Sequence, residues 1–318
     1  MKLEAFGKGD KDMPSFRSYF FEKGIKFSVK RALKKGVRDK RVEEQRQMLD
    51  NVGRRLARMP KNCQVVPLEI EGMYAEWLST ASSLEDKVIL YLHGGGYAFC
   101  SADTHRPLAA RIGQASGVKV LFPEYRLAPE HPFPAAIEDA VNVYRWLLDQ
   151  GYIPSNIIFA GDSAGGGLSL AAALVLREQN EPLPAAIICL SPWVDLTSSG
   201  ESYTKNNGLD PYLSVQGVRE GAHMYAGKEG SLDHPLISPV FADLTGFPPL
   251  FIQAGNHEIL QSDAEKLTAQ ARLAGVAATL KVWEGMWHVW QISGDLLPEA
   301  KRAIDEIGEF VRRTFRSK

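Results

Sequence analysis

The sequence predicts an α/β fold in which a mostly parallel central sheet is flanked by helices. Short apolar runs alternate with longer helical segments through most of the chain, and this alternation is typical of a parallel sheet with helices on both faces. Two glycine-rich turns each follow such an apolar run directly. The chain of 318 residues is long enough for one large domain of this kind.

The predicted elements begin with two strands, 63–70 and 73–78, that pair around a Glu71-Gly72 turn. After them come strand 88–92, a helix after 103, strand 118–122, helix 134–150, strand 157–160, helix 164–177 and strand 185–190. The alternation is interrupted between about 197 and 236, where Gly, Pro, Asn and Tyr replace the periodic apolar residues. It resumes with strand 250–254, helix 264–274, strand 278–282 and helix 298–315.

The segment 161–165, G-D-S-A-G, has the pattern G-x-S-x-G and stands between a predicted strand and a predicted helix. In that context the motif is typical of a nucleophile elbow, a sharp turn that presents the serine oxygen at the top of a sheet. Glycines allow such a turn because they have no Cβ. We therefore predict Ser163 as a nucleophile. The alternative is an ordinary tight strand-to-helix turn.

The segment 93–97, H-G-G-G-Y, follows the predicted strand 88–92. Acyl transfer passes through an oxyanion, which backbone N–H groups stabilise when they point towards it. Beside a nucleophile elbow, such donors come from a glycine loop and from the residue after the nucleophile. We therefore predict an oxyanion hole made by the amides of Gly94, Gly95 and Ala164. The alternative, a phosphate-binding loop, lacks the G-K-[ST] or dinucleotide spacing.

Four segments in this order resemble the hormone-sensitive lipase-like esterases, which are the bacterial family IV carboxylesterases. They are 93–97, 125–136, 161–166 and 191–195, within a resemblance that extends over about residues 60 to 315. The resemblance implies an α/β-hydrolase core with a helical cap. It also implies hydrolysis of short- to medium-chain acyl esters with neither a metal nor an organic cofactor. The expected parts are cap, core, cap and core, at 1–60, 61–196, 197–236 and 237–318.

His288 is the candidate base, because the order of a triad on this fold is serine, acid, histidine. A neutral imidazole can take a serine proton near pH 7. Segment 286–290 reads M-W-H-V-W, where members of the resembled family usually have M-x-H-G-F, so bulkier neighbours alter the expected acyl pocket. The alternative is a histidine packed in a Trp-rich surface cluster.

The triad acid has two candidates after the predicted strand 250–254. The family pattern has Asp at the position of Glu258 and Leu two positions later, where Leu260 stands. A carboxylate of either length can orient the imidazole, so we predict Glu258 as the acid. Asp263 is the alternative. We expect it instead to cap the helix 264–274, since Asp is favoured at the N-cap.

Large aromatic residues are expected to line a short and stiff acyl pocket. Tyr97 follows the oxyanion glycines, while Trp193, Trp287 and Trp290 lie near predicted strand ends or loops. We predict Tyr97, Trp193 and Trp287 as substrate-binding residues. At least one of these aromatic residues is expected to pack the cap against the core instead.

Composition and charge exclude several other classes of protein. The net charge is −1, and three cysteines are too few for a disulfide framework. The sequence has no ligand spacing typical of zinc and no dinucleotide motif, so neither a metal nor a cofactor is expected. No run approaches the roughly 20 apolar residues of a transmembrane helix. Residues 1–12 have no signal-peptide pattern, which makes the cytoplasm the expected location.

The segment 26–58 is strongly basic, with 12 Lys/Arg and 4 Asp/Glu. We prefer to interpret it as part of the cap with its basic face in solvent, because members of the resembled family build part of their cap from the N-terminal segment. The alternative is an interfacial helix that makes weak contact with an anionic membrane surface. No nucleic-acid partner is expected, since no recognised binding module accompanies the patch.

The sequence therefore predicts a serine carboxylesterase that acts on a small-molecule ester through an acyl-enzyme intermediate. A lactone or amide hydrolase with the same triad is an alternative, because all three share one acyl-enzyme chemistry. A non-catalytic small-molecule receptor is a further alternative, but receptors with this fold have lost the histidine that His288 supplies here. The sequence leaves a homodimer open.

Overall fold

The computed structural model describes residues 14–34, 41–56, 58–228 and 230–316. The expectation that no signal peptide is present concerns residues 1–12, which lie outside this part of the chain. The strands of the described residues are β1 (Gln64–Ile70), β2 (Met73–Ser79), β3 (Leu84–Leu92), β4 (Val118–Pro123), β5 (Ile157–Asp162), β6 (Ala186–Leu190), β7 (Leu250–Gly255) and β8 (Ala278–Trp283).

These strands form one sheet in the order β1-β2-β4-β3-β5-β6-β7-β8. β3 to β8 run parallel to one another, whereas β2 is antiparallel to both β1 and β4. The α-helices of the described residues are α1 (Phe16–Lys34), α2 (Val42–Leu56), α3 (Ala102–Ser116), α4 (Ala135–Asp149), α5 (Ala164–Glu178), α6 (Ser202–Lys205), α7 (Val215–Ala226), α8 (Gln261–Leu273) and α9 (Pro298–Arg316). The prediction of a mostly parallel sheet flanked by helices is confirmed.

The clearest difference from the predicted elements is at the start of β3. The apolar run predicts a strand from residue 88, but β3 begins at Leu84, which pairs with Val118 before the register shifts at a bulge. The residues between Leu84 and Val88 are Glu, Asp and Lys. The strand therefore extends across a charged stretch, at the register shift itself, that the apolar pattern could not indicate.

Hydrophobic clusters cover both faces of the sheet. Val88 and Leu90 belong to a cluster with residues of α4, α5 and α8. Ile89 and Tyr91 belong to a second cluster with residues of α3 and α9. This division follows from the geometry of a strand, in which successive side chains point to opposite faces. β5 and β6 are buried throughout, as expected for central parallel strands covered on both sides.

A third cluster joins the N-terminal helix to the C-terminal one. It contains Trp287 and Trp290 together with residues of α9, and Phe21 and Ile25 of α1 pack against it. The backbone N–H of Ser15 donates to the Glu299 carboxylate of α9 over 2.6 Å, which fastens the start of α1. Helix α1 therefore lies beside the loop between β8 and α9.

Each of the two segments assigned to a cap contains two helices among the residues that the structure describes. The N-terminal segment 1–60 contains α1 and α2, and the segment 197–236 contains α6 and α7 joined by irregular stretches. The inner side of α7 packs on the same cluster as α4 and α5, through Val218, Ala222 and Tyr225. The division of the chain into cap and core stays a prediction.

Candidate active site

Two loops emerge side by side because the strands before them are neighbours. β3 and β5 are parallel and adjacent, with Leu92 opposite Gly161. The segment 93–97 leaves β3, and the turn 161–165 joins β5 to α5. Both therefore lie at the carboxyl edge of the sheet, which is where ligands bind in open α/β sheets.

Ser163 stands in the sharp turn between β5 and α5. Its φ is 52° and its ψ is −121°, a backbone conformation that is strained for a residue with a Cβ. The turn needs glycine at 165, since a Cβ there would lie 1.9 Å from the carbonyl oxygen of Leu92. This geometry is typical of a nucleophile elbow.

The amides of the glycine loop are not equivalent. The N–H of Gly94 donates to Oδ1 of Asp162 over 3.2 Å, so this amide already has an acceptor. The amides of Gly95, Gly96 and Ala164 have no acceptor among the residues that the structure describes. Gly95 and Gly96 have φ values of 110° and 63°, which glycine adopts without a steric penalty.

Asp162 is a buried carboxylate that holds the glycine loop and the elbow together. Its Oδ1 also accepts a hydrogen bond from the Tyr91 hydroxyl at 2.7 Å, and its Oδ2 lies 3.1 Å from Nε2 of His105 on α3. Burial opposes ionisation, but the charge and hydrogen bond of His105 and the hydrogen bond of Tyr91 outweigh it and lower the pKa of Asp162. Because its hydrogen-bond partners all belong to the protein, this carboxylate fixes the position of the glycine loop relative to the turn that contains Ser163.

Glu258 and His288 form a buried pair. Oε2 of Glu258 lies 3.0 Å from Nδ1 of His288, and its Oε1 accepts a hydrogen bond from the N–H of Gly255 at 2.7 Å. Glu258 is fully buried, and His288 is 7% exposed. The carboxylate is therefore fixed at both oxygens, which fixes the imidazole ring that it contacts.

The pKa of His288 is raised above its ordinary value of 6.5. Burial alone would lower it, because burial disfavours the charged imidazolium. The hydrogen bond and charge of Glu258 outweigh that effect, and the charges of Asp210 and Asp162 act in the same direction. The surroundings thus stabilise the protonated ring.

Asp263 occupies a different position from the one expected. The prediction that it caps the following helix is wrong, because α8 begins at Gln261 and its N-cap is Leu260. Asp263 lies inside the first turn, fully buried, and its Oδ2 accepts hydrogen bonds from the backbone N–H groups of Val194 and Asp195 at 3.0 and 2.9 Å. Burial raises the pKa of Asp263 well above its usual range.

Asp210, in the segment 197–236, contacts the loop that contains Glu258. Its Oδ2 accepts a hydrogen bond from the N–H of Ile259 at 3.1 Å, and its Oδ1 accepts from Tyr212 and Leu213. The residue is buried, and its carboxylate acts electrostatically on His288. No motif in the sequence indicated this role, because the contact joins segments about fifty residues apart.

Tyr97 and Trp193 lie together against helix α7. The ring of Tyr97 stacks on that of Tyr225 with centroids 3.6 Å apart, and Trp193 is 6.1 Å from Tyr97. The two tyrosine hydroxyls and the Trp193 indole N–H are buried with no partner among the described residues. These three side chains form a group that we call the aromatic box.

Trp287 is not part of the aromatic box. It is fully buried in the cluster between α1 and α9, with Trp290 and Phe21. Of the three predicted substrate-binding residues, the structure thus brings Tyr97 and Trp193 together and puts Trp287 in a different cluster. Sequence spacing could not distinguish them, since all three stand next to strand ends or loops.

The described ranges contain neither a metal-binding cluster nor a membrane-spanning helix. No group of three or more His, Cys, Asp or Glu side chains there is arranged to hold a metal ion. None of the helices in the same ranges is long and apolar enough to cross a membrane.

Comparison with known proteins agrees with this geometry. Residues 89–292 match the model of a family described by the alpha/beta hydrolase fold. An acetyl-hydrolase from Streptomyces hygroscopicus is 46% identical over 239 residues, which are 75% of this chain and 79% of that protein. An esterase from Acinetobacter venetianus is 36% identical over 265 residues, which are 83% of this chain and 87% of that protein.

Solved structures share the fold over most of the chain. A crystal structure of the esterase EstE5 soaked with p-nitrophenyl butyrate gives a TM-score of 0.87 at 38% identity and covers 95% of this chain and 99% of that one. An esterase from the bacterial hormone-sensitive lipase family gives 0.84 at 46% identity, over 87% of this chain and 92% of that one. As its motifs predicted, the chain belongs to the hormone-sensitive lipase-like esterases of the α/β-hydrolase fold.

Proposed function

We propose that this carboxylic ester hydrolase uses Ser163 as nucleophile, His288 as general base and Glu258 as the acid that orients the imidazole. The observation that carries the proposal is the 3.0 Å contact between Glu258 and His288, on a fold whose strained elbow holds Ser163. A carboxylate at Nδ1 keeps the proton on that nitrogen, so that Nε2 is left to accept the serine proton. Asp263 is not the acid in this proposal, because its Oδ2 is bonded to backbone amides.

The reaction proceeds in two halves through a covalent intermediate. Oγ of Ser163 attacks the ester carbonyl carbon while His288 takes its proton. The resulting imidazolium then donates that proton to the leaving alcohol, which departs and leaves an acyl-serine. In the second half His288 takes a proton from water, the hydroxide attacks the acyl carbon, and the serine oxygen leaves with the proton.

The oxyanion of each half-reaction is bound by backbone amides. The amides of Gly95, Gly96 and Ala164 fit this role, since none of them has an acceptor among the described residues. This proposal replaces Gly94 of the predicted set with Gly96, because the Gly94 amide donates to Asp162. Preorganised donors of this kind supply the largest single contribution to many acyl transfers.

We also propose that the substrates are small esters with short to medium acyl chains. The aromatic box supports this proposal, since rigid rings leave a short pocket. The helical segments 1–60 and 197–236 form the cap in this proposal, and Tyr225 of the second segment is the cap residue of the box. Lactones and amides remain the alternative substrates, because their turnover uses the same acyl-enzyme.

The experiment is a panel of p-nitrophenyl esters, lactones and anilides with the purified protein and its Ser163→Ala variant. Ester turnover should dominate and should fall by several orders of magnitude in the variant, because triad members act as a unit. Phenylmethylsulfonyl fluoride should label the peptide that contains Ser163, as read by mass spectrometry. A folded Ser163→Ala protein with near-wild-type turnover would refute the proposal.

A further inference from the structure

Helix α1 has an exposed aromatic face that the cap interpretation did not predict. That interpretation concerned the basic segment 26–58, which overlaps only the second part of α1. Phe16, Tyr19, Phe20 and Phe27 are all exposed on α1, Phe16 to 79% and Phe27 to 68%. Large exposed apolar side chains that gather on one surface indicate an interaction site rather than scattered surface residues.

These aromatic residues lie on one side of the helix. Phe16, Phe20 and Phe27 are separated by four and seven residues, which places them on the same face. The rings of Phe16 and Phe20 are in edge contact with centroids 5.0 Å apart, and Tyr19 contacts Phe20 at 5.8 Å. We call this surface the outer face of α1.

The opposite side of α1 is already occupied. Phe21 and Ile25 pack on the cluster around Trp287 and Trp290, and Ser18 is 2% exposed. The inner side of α1 is therefore already buried against the protein, and the aromatic residues of the outer face are additional to it. Apolar residues on both sides of the helix leave the outer face available to bind a partner.

Basic residues accompany the aromatic ones. The sequence of α1 holds six Lys or Arg and a single Glu. Among them Arg17 and Lys23 are exposed, and Nζ of Lys23 stands 4.3 Å from the centre of the Tyr19 ring. The one acid, Glu22, is partly neutralised by Lys26 at 2.7 Å. Aromatic residues with a strong positive excess match a membrane interface that carries negative charge.

We propose that the outer face of α1 is a docking surface for an anionic lipid membrane. Rings such as Phe16 and Phe20 insert at the boundary between headgroups and acyl chains, and the basic side chains bind the anionic headgroups. The helix lies against the loops of the active site, since Oε2 of Glu22 is 3.6 Å from Nδ1 of His257, next to Glu258. Docking therefore brings the site close to esters that partition into a membrane.

The test is co-sedimentation of the full-length protein with vesicles of ether-linked lipids, which an esterase cannot hydrolyse. One set contains phosphatidylcholine alone, and the other contains phosphatidylcholine with phosphatidylglycerol. The protein should bind the anionic set on the order of tenfold more strongly, and added salt should weaken this binding. A protein that fails to bind the anionic set, or binds both sets equally, overturns the proposal.

The aromatic contribution is tested with the triple variant Phe16→Ser, Phe20→Ser and Phe27→Ser. It should lose roughly tenfold or more of the vesicle binding, whereas Leu273→Ser on α8, at a residue that is 82% exposed, should lose none. Turnover of soluble p-nitrophenyl acetate checks the fold. If the triple variant does not fold, Phe16→Ser alone replaces it. Unchanged binding overturns the proposal, as does a triple variant that only converts a dimer to a monomer in light scattering.

Discussion

The backbone N–H of Gly94 donates to Oδ1 of Asp162 over 3.2 Å, and this bond joins the glycine loop to the nucleophile turn. Asp162 precedes Ser163 in the chain, so the position of the loop and the position of the serine depend on one carboxylate. The Tyr91 hydroxyl and the His105 ring also contact that carboxylate, at 2.7 and 3.1 Å. In the proposed mechanism, the oxyanion donors are thereby aligned relative to Ser163 before a substrate binds.

Replacing Gly94 should break this alignment. A Cβ at this position would meet Oδ2 of Asp162 at 2.2 Å, so Gly94→Ala must displace either the loop or the carboxylate. We expect kcat for p-nitrophenyl acetate to fall about 10²- to 10³-fold, the loss typical of one oxyanion donor. Gly24→Ala is the matched control, because a Cβ there has open space. Equal activities of the two variants would show that the loop is not set by this contact.

Substitutions of the two candidate triad acids, Glu258 and Asp263, should have different effects on activity. Glu258→Gln should lower kcat by about 10³- to 10⁴-fold, because the imidazole loses its orienting carboxylate. Asp263→Asn should leave kcat close to that of the wild type, since an amide oxygen can still accept the hydrogen bonds from the Val194 and Asp195 N–H groups.

The control for this pair is Asp263→Ala. It removes the acceptor of the Val194 and Asp195 amides, and each unsatisfied buried group costs about 1–3 kcal/mol. Chemical denaturation should show that loss of unfolding free energy while kcat is retained. If Asp263→Asn proves to be the inactive variant and Glu258→Gln the active one, the assignment of the acid is reversed.

The pH dependence of kcat/KM follows from the raised pKa of His288. The base must be neutral, so activity should fall as the pH decreases through a value above 6.5. Asp210→Asn removes a negative charge that favours the imidazolium, so it should lower the pKa of His288 and move this limb to lower pH. Asp243→Asn serves as control, because Asp243 is exposed and its charge is not among those that act on His288. A limb that does not move would exclude an effect of the Asp210 charge.

Acyl-chain preference should depend on the aromatic box. Tyr225→Ala removes the ring that stacks on Tyr97 at 3.6 Å, so the optimum in a series from acetyl to palmitoyl esters should shift to longer chains. Trp287→Phe should keep the wild-type optimum and reduce stability instead, since Trp287 packs between α1 and α9. The pocket proposal is contradicted if the wild type already prefers palmitoyl esters.

The parts of the site that local motifs determine could be predicted from the sequence. The elbow around Ser163 and the glycine loop each stand directly after a buried strand, so periodicity and glycine spacing were sufficient. The engagement of the Gly94 amide, the burial of Asp263 and the contact of Asp210 with Ile259 could not be predicted. Each of them depends on an atom from a segment that is distant in the chain. A single sequence does not indicate which distant residues come into contact.

The adjacency of β3 and β5 in the sheet has a consequence for refolding. The two loops of the proposed reaction centre are separated by some seventy residues of chain, and β4, which follows β3 in sequence, pairs on its other side. Bringing β3 and β5 together across that long intervening segment costs chain entropy before the contacts between them compensate it. Recovery of ester hydrolysis after dilution from denaturant should therefore lag behind recovery of the circular dichroism signal of the helices. The helices form from local contacts, whereas the proposed reaction centre needs contacts between segments that are distant in the chain.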